Sequence, residues 1–419
     1  MTGWALDIAD RLATVAELEA PSIGPPAGEN RAWHPMSLAD GYPGLALVFA
    51  GSPDRDDRSI GHRLLRRGLS AGQPAHESLF RGRPAVAFAA RVLAQAPRDY
   101  AKLLASIDDA VAGLADGLLT HEEDRLAAGR PGARMRCYDV SFGLTGLGRL
   151  FLTEPVRRPL LDRVLSYLVR LTEPVTPGVR SVPGWWTPDP AVLASPLDTP
   201  RGHLNPGLAH GVAGPLALLA LARLAGAEVK GQAEAAARIA EWLLARRGHD
   251  RYGPFWPAVI PLEHEESGSV AGLPPSRVAW CYGAPGIARA LQLAARAFGE
   301  PGWEHAALST LGAALVRPWA ATGIRDASLC HGSAGVLHIV RLVDRDASSP
   351  GLLGADEAVD QLSEHVRLFA DAGSRFGVLT TPVGAAGLLE GAAGVVLAAR
   401  GGPAAPPTSL GWDSALLLS

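Results

Sequence analysis

Two of the chain's three cysteines are placed alike. Cys281 stands in the run WCYGAPG and Cys330 in CHGSAG, each two residues before the first glycine of a G-x-x-G turn. His331 fills the place between Cys330 and its glycine. Two thiols and one imidazole are donors that Zn²⁺ takes in tetrahedral sites. Three protein ligands leave a fourth place open, which marks a catalytic rather than a structural ion. The plainer reading is two small buried hydrophobes beside an ordinary histidine. It loses force when the same register recurs at a second turn. Cys137 lies outside that register, six residues before Gly143, and is expected as a small buried core residue.

The position just before the first glycine is chemically unusual throughout the chain. It holds Asp40, Arg81, Phe142, His210, Tyr282, His331 and Glu390, six of them polar or ionisable. His210, in NPGLAHGVAG, is a candidate general acid/base, with a satisfied structural histidine as the alternative. Asp139, in YDVSFGLTG, is placed to orient it, with a helix N-cap as the alternative. Arg277, four residues before Cys281, is a candidate for anion support or else a solvated surface arginine. Tyr282 is a candidate proton donor or a packing residue, and Glu390 a site residue or a helix N-terminal charge. Trp185, Trp186, Trp256 and Trp280 would wall a groove if they are not core, which is the default for aromatics.

These residues share one setting. Gly numbers 48 in 419 residues, about 11% against a usual ~7%. The glycines recur in turns beginning at Gly41, Gly82, Gly143, Gly211, Gly283, Gly332 and Gly391, each followed by an apolar stretch. The second turn is degenerate, with Ala85 where the others have glycine. Between turns lie further stretches of helical period: 101–119, 160–171, 233–246, 305–319 and 355–370. The unit is therefore helix, connection, glycine turn, helix, repeated about seven times. Such an array stays open as a solenoid or closes into a ring. The expectation is an all-α fold, an α/α toroid of seven inner and seven outer helices, forming one domain over 1–419. Residues 172–206 and 249–276, rich in Pro, Gly and Trp, are expected as long non-helical loops or a small inserted module. Residues 20–35 and 401–409 are expected as Pro/Gly-rich connections.

Composition excludes other classes. Hydrophobic residues make up 47% and charged residues 19%, and the net charge is −3. The chain is thus globular, without the basic excess of a nucleic-acid binder. Its longest apolar run, Val212 to Ala222, ends at Arg223 and falls well short of the ~20 residues of a membrane span. No signal-peptide pattern opens the chain, and three cysteines form no disulfide framework. A cytoplasmic protein with free or metal-bound thiols is expected, and the Arg-over-Lys bias points to a bacterial genome.

Together NPGLAHGVAG, WCYGAPG, CHGSAG, LEGAAG and the closing GWDSALLLS resemble the lanthionine synthetase C-like family, the lanthipeptide cyclases. The likeness runs from Gly41 to the C-terminus, departing at GRPA in the second turn. The resemblance implies the α/α toroid and one zinc held by Cys281, Cys330 and His331. It implies further active-site positions at Asp139, His210, Arg277 and Tyr282. It also implies the reaction, addition of a peptide Cys thiolate to dehydroalanine or dehydrobutyrine in the same peptide, giving thioether rings. The partners would be a dehydrated precursor peptide, a dehydratase and an exporter, the last two tying a cytoplasmic enzyme to the membrane surface. Without a dehydratase or kinase portion, the chain looks like a stand-alone cyclase of the class I kind. A glutathione-binding member of the same family, a glycoside-processing barrel and a non-catalytic scaffold are the alternatives. Two carboxylates across a cavity would mark the glycoside barrel, and a scaffold would need no zinc ligands.

Overall fold

The computed structural model of the chain describes all residues except 1–2, 15–32, 53, 71, 192–196, 350–354, 372–373, 375, 377, 379–385 and 402–404. Parts of the expected connections (20–32 and 402–404) and of the 172–206 stretch (192–196) thus lie outside the described residues.

Among the described residues fourteen helices carry the repeat, beside the short helices Met135–Tyr138, Leu262–Ser267 and Trp319–Thr322. In chain order the fourteen are α1 (Gly3–Thr14), α2 (Tyr42–Ala46), α3 (Arg55–Leu69), α4 (Arg83–Leu93), α5 (Ala101–Ala127), α6 (Leu144–Phe151) and α7 (Arg158–Arg170). Then come α8 (Ala213–Leu224), α9 (Gln232–Ala245), α10 (Ala284–Phe298), α11 (Pro301–Leu315), α12 (Ser333–Asp346), α13 (Ala355–Leu368) and α14 (Ala392–Arg400). Every even-numbered helix follows a glycine turn. The twelve residues Ala284–Ala295 of α10 are all buried, as are Ala213–Ala222 of α8. The odd-numbered helices bury one stripe only: Gly61, Leu64, Leu65 and Gly68 of α3, and six of 27 residues of α5. A helix apolar all round belongs inside and one with a single apolar stripe belongs at the surface. The even helices are therefore the inner layer and the odd ones the outer.

The inner layer closes on itself. Helix α10 packs between α8 and α12, α12 packs on α14, and α14 reaches the 3-10 turn Leu47–Phe49 that extends α2. Helix α1 covers α14 from outside, burying Ile8 and Leu12 completely. The turns themselves are stitched by backbone hydrogen bonds at the position two residues before the first glycine. Ala209 N–H donates to Cys281 O (3.4 Å), Cys281 N–H to Cys330 O (3.4 Å), Cys330 N–H to Leu389 O (2.8 Å) and Leu389 N–H to Ala39 O (3.2 Å). Leu38 N–H continues to Phe80 O (2.9 Å), and Val140 N–H enters the series at Ala209 O (3.1 Å). The fold is an α/α toroid, and the seam carries the first turn round to the seventh.

The second glycine of each turn has a steric cause. A Cβ at Gly335 would lie 1.9 Å from Leu329 O, at Gly394 2.0 Å from Leu388 O, and at Gly44, Gly146 and Gly286 2.1 Å from the carbonyl oxygens of Leu38, Val140 and Trp280. In each case that oxygen belongs to the residue six earlier, so the helix starts against its own approach strand. At the second turn a fully buried Ala85 takes the place, and that turn is entered through Gly82 at φ +83°.

The C-terminal residues sit among the inner helices. Arg149 Nε of α6 donates to Ser419 O (3.0 Å), Arg289 Nε of α10 to Leu418 O (2.9 Å), and Trp280 Nε1 to Leu416 O (3.0 Å). His338 of α12 meets Asp413 Oδ2 at 2.9 Å. Leu416, Leu417 and Leu418 are buried. Trp185, Trp256 and Trp280 are at most 1% exposed, so these three tryptophans pack the core and wall no groove.

The two Trp-rich stretches pair at one short ladder, and the second also forms a hairpin of its own. His203 and Leu204 lie antiparallel to Pro261 and Ile260, and Gly248–Asp250 lies antiparallel to Gly253–Phe255. Within 249–276, expected as long non-helical loops or a small inserted module, Leu262–Ser267 forms a helix. Glu263 and Glu265 in its first turn complement the helix N-terminus, and Gly268 at φ +73° ends it. Its sequence LEHEES lacks the apolar period that would have marked it. Helix α5 likewise runs past the expected 119 to Ala127, its last turns carried by the polar residues His121–Arg125. No helix among the described residues is long and apolar enough to cross a membrane.

Candidate active site

The stitched seam places Cys281 and Cys330 on neighbouring turns at the same height. His331 follows Cys330, and the ligand atoms of the three residues all lie within 4.8 Å of one another. Cys281 is buried, while Cys330 and His331 are half-buried, so the group faces the rim of the ring. The Cys281 thiol is held below the usual thiol range, first by its hydrogen bond with Cys330 and then by the positive charges of Arg277 and His210; burial opposes them. Two carboxylates flank the imidazole of His331. Asp326 Oδ2 lies 3.9 Å from Nε2 and Glu390 Oε1 3.7 Å from Nδ1. Asp326 is itself fixed, accepting from Ser328 N–H at 2.7 Å. Carboxylates in such places orient metal-binding imidazoles.

The next turn along the seam carries His210. Its Nδ1 meets Asp139 Oδ2 at 2.7 Å, and its side chain is 25% exposed while Asp139's is 1% exposed. The other oxygen of Asp139 accepts from Phe142 N–H (2.6 Å) and Gly143 N–H (2.9 Å), at the start of α6. Asp139 thus accepts from two turn N–H groups and also meets the imidazole, while the N-cap of α6 is Gly143. The imidazole has two aromatic neighbours, Phe142 at 5.8 Å and 16° and Tyr282 at 6.4 Å and 39° between ring planes.

Tyr282 is buried, and burial pushes its phenol above the ordinary range. Asn205 orients it: Asn205 Oδ1 accepts from Gly207 N–H (2.9 Å), which turns Nδ2 to the Tyr282 hydroxyl oxygen (3.2 Å). Arg277 acts on Cys281 through its charge, and its backbone carbonyl lies against Gly283.

The sequence alone does not mark Asn205 or Asp326. Asn205 sits in NPGLAHG, and its role depends on a turn that brings it back under Tyr282, 77 residues away. Asp326 lies six residues before the glycine of its turn, outside the repeated polar position. Cys137 stands apart from the cluster. It is 4% exposed beside the Glu122–Arg125 pair, and burial pushes its thiol up to about 12.

A family model described as lanthionine synthetase C-like protein matches residues 32–400. The nisin biosynthesis protein NisC of Lactococcus lactis subsp. lactis is 25% identical over 334 residues, covering 76% of each chain. A solved structure of nisin cyclase superposes with a TM-score of 0.72 at 20% identity, covering 93% of both chains. That structure bears on the fold, and the family model covers most of the chain, including both Cys-bearing turns and the His210–Asp139 pair. The chain belongs to the lanthionine synthetase C-like family.

Proposed function

We propose that the chain is a zinc-dependent lanthipeptide cyclase. It joins Cys thiols to dehydroalanine or dehydrobutyrine within one peptide, forming lanthionine and methyllanthionine rings. One observation carries the reading: two thiols and an imidazole from adjacent turns, with ligand atoms within 4.8 Å, beside a carboxylate-held histidine. A donor set of two sulfurs and one nitrogen suits Zn²⁺ and leaves room for one incoming thiol. Zinc held by Cys281, Cys330 and His331 would supply the Lewis acidity that deprotonates that thiol near neutral pH.

The remaining chemistry falls to the chain's own side chains. As the C–S bond forms at the β-carbon, the electron pair of the C=C bond moves to the α-carbon and its carbonyl oxygen. A proton must then reach the α-carbon. His210 is the general acid/base, taking the thiol proton and returning one to the α-carbon. Its Nδ1 is engaged by Asp139, so Nε2 is the nitrogen that exchanges. Asp139, held by two backbone N–H groups, keeps the ring oriented and supports its cationic form. Tyr282, kept protonated by burial and held by Asn205, supports the enolate oxygen together with Arg277. The partner this implies is a dehydrated precursor peptide. A dehydratase and an exporter that make and remove it would hold a cytoplasmic cyclase near the membrane.

The test replaces Cys281 or Cys330 by Ala. Each variant should lose bound zinc and ring formation together, read by elemental analysis and by thiol labelling of the dehydrated peptide. Full zinc occupancy in both variants would remove the assignment, and ring formation without zinc would remove the mechanism. A scaffold would keep its binding partners and make no rings even as wild type.

A further inference from the structure

Phe142 is the one apolar side chain among the seven that immediately precede a glycine turn. It is 48% exposed, while Asp139, Val140, Leu144 and Thr145 around it are at most 1% exposed. Fully burying a phenyl contributes ~1.5–3 kcal/mol relative to exposure, and the fold leaves much of that unused here. The ring is well placed. One face lies nearly parallel to the His210 imidazole, 5.8 Å and 16° away. Its backbone N–H holds Asp139 Oδ1, and Asp139 Oδ2 holds His210 Nδ1. The phenyl is thus fixed by its own main chain to the pair that handles the proton, with nearly half of its surface exposed.

A single exposed ring is far too small for a protein–protein interface, which needs ~800 Å² from each partner. It matches one side chain of a bound peptide. An aromatic ring also offers that contact with little entropy to lose, since only two torsions must be fixed.

We infer that Phe142 is a specificity-determining contact for the peptide substrate. Its exposed surface receives an apolar side chain flanking the reacting cysteine, and so seats the reacting carbons beside His210. The inference rests on the cyclase reading, and it commits to a peptide with apolar residues next to the ring-forming cysteine. Enclosed apolar pockets discriminate by about 10–200-fold. An open platform covers one face only, so a preference near the low end, about ten-fold, is expected.

Two dehydrated peptides, identical except that both residues flanking the reacting cysteine are Leu in one and Ser in the other, test it. Wild type should cyclise the Leu peptide with about ten-fold higher kcat/KM, the difference lying in KM. Phe142→Ala should lose about ten-fold on the Leu peptide and about two-fold on the Ser peptide, with zinc content at the wild-type level. Phe142→Leu and Phe142→Tyr should restore most of the preference, which a mere change in folding would not do. A preference that survives in Phe142→Ala, or is absent from wild type, overturns the inference while leaving the cyclase reading intact. So does an equal fall in kcat on both peptides at constant KM, which would show the ring acting only through His210. A wild type that forms no rings on either peptide overturns the cyclase reading and this inference with it.

Discussion

The toroid contains two His–Asp pairs of nearly the same geometry. At the rim, His210 Nδ1 meets Asp139 Oδ2 at 2.7 Å; among the inner helices, His338 Nε2 meets Asp413 Oδ2 at 2.9 Å. The partners are 71 residues apart in one pair and 75 in the other. Their surroundings differ. The His210 side chain is 25% exposed and lies one turn along the seam from Cys281. Both side chains of the inner pair are 4% exposed. His338 lies under Trp412 at 4.4 Å, and Asp413 Oδ1 accepts from Ser419 Oγ at 2.9 Å. Asp413 is buried, and burial pushes its carboxyl up, but the hydrogen bonds of His338 and Ser419 and the charges of His338 and Arg289 together hold it below the usual range. The same two groups therefore serve two ends. Where the imidazole is reachable the pair can move protons, and where it is sealed the pair clasps the C-terminal segment to the ring.

Exchanging the two histidines for neutral residues separates those ends. His210→Asn should keep its zinc and its melting temperature, and slow cyclisation of a dehydrated peptide by about 10²–10⁴-fold. Loss of zinc in that variant would make His210 a ligand; a near-normal rate would move the proton transfer to Tyr282 or water. His338→Ala should do the reverse. It leaves the Asp413 carboxylate buried without its partner, which typically costs about 3–5 kcal/mol. Urea unfolding should show that loss, while the folded fraction cyclises at close to the wild-type rate. A rate loss as large as that of His210→Asn, with stability kept, would abolish the distinction.

The contrast also marks what a sequence carries. The inner layer was legible because its cause is local: each turn begins a helix against the carbonyl six residues back, and Gly335 or Gly394 tolerates no Cβ there. The Cys281–Cys330–His331 group was legible for a related reason. A repeat places equivalent positions at equivalent heights, so shared register became proximity once the ring closed. Nothing of that kind links His338 to Asp413. That pair depends on the chain's last residues folding back among helices from three different repeats, held by Arg149, Arg289 and Trp280. Asn205 is hidden similarly, since only the folded turn brings its amide under Tyr282. Phe142 was legible as an exception to the polar pattern, but not as an exposed ring, because exposure belongs to the closed toroid. The short helix Leu262–Ser267 escaped because polar residues with good end charges form a turn of helix without an apolar period.

A third imidazole gives the smallest and sharpest test of the comparison, because it is sealed like His338 yet has no carboxylate in hydrogen-bond contact. His203 is fully buried in the short strand opposite Pro261; among the described residues only the Asp189 backbone lies near its ring, and too poorly aligned for a hydrogen bond of ordinary geometry. Burial lowers its pKa from 6.5 to about 4, against a weaker pull from Asp189. The unfolded chain therefore binds a proton at this group below about 6.5, and the folded chain only below about 4. Between those values the unfolded state holds more protons, so stability rises with pH across the window. The contribution is complete above about pH 6.5 and is lost progressively as the pH falls towards 4. One pKa unit corresponds to ~1.4 kcal/mol, so the whole window is worth at most ~3.5 kcal/mol. His203→Phe removes the titrating group and puts an apolar ring of similar shape in the same sealed place. Urea midpoints measured at several pH values from 7 to 4.5 should fall less steeply for the variant than for wild type. The two curves should differ most at the acid end, where wild type must pay to keep the ring neutral. Parallel curves would mean that His203 already has a proton partner in solution, and that a sealed imidazole in this ring does not depend on a carboxylate to hold its charge.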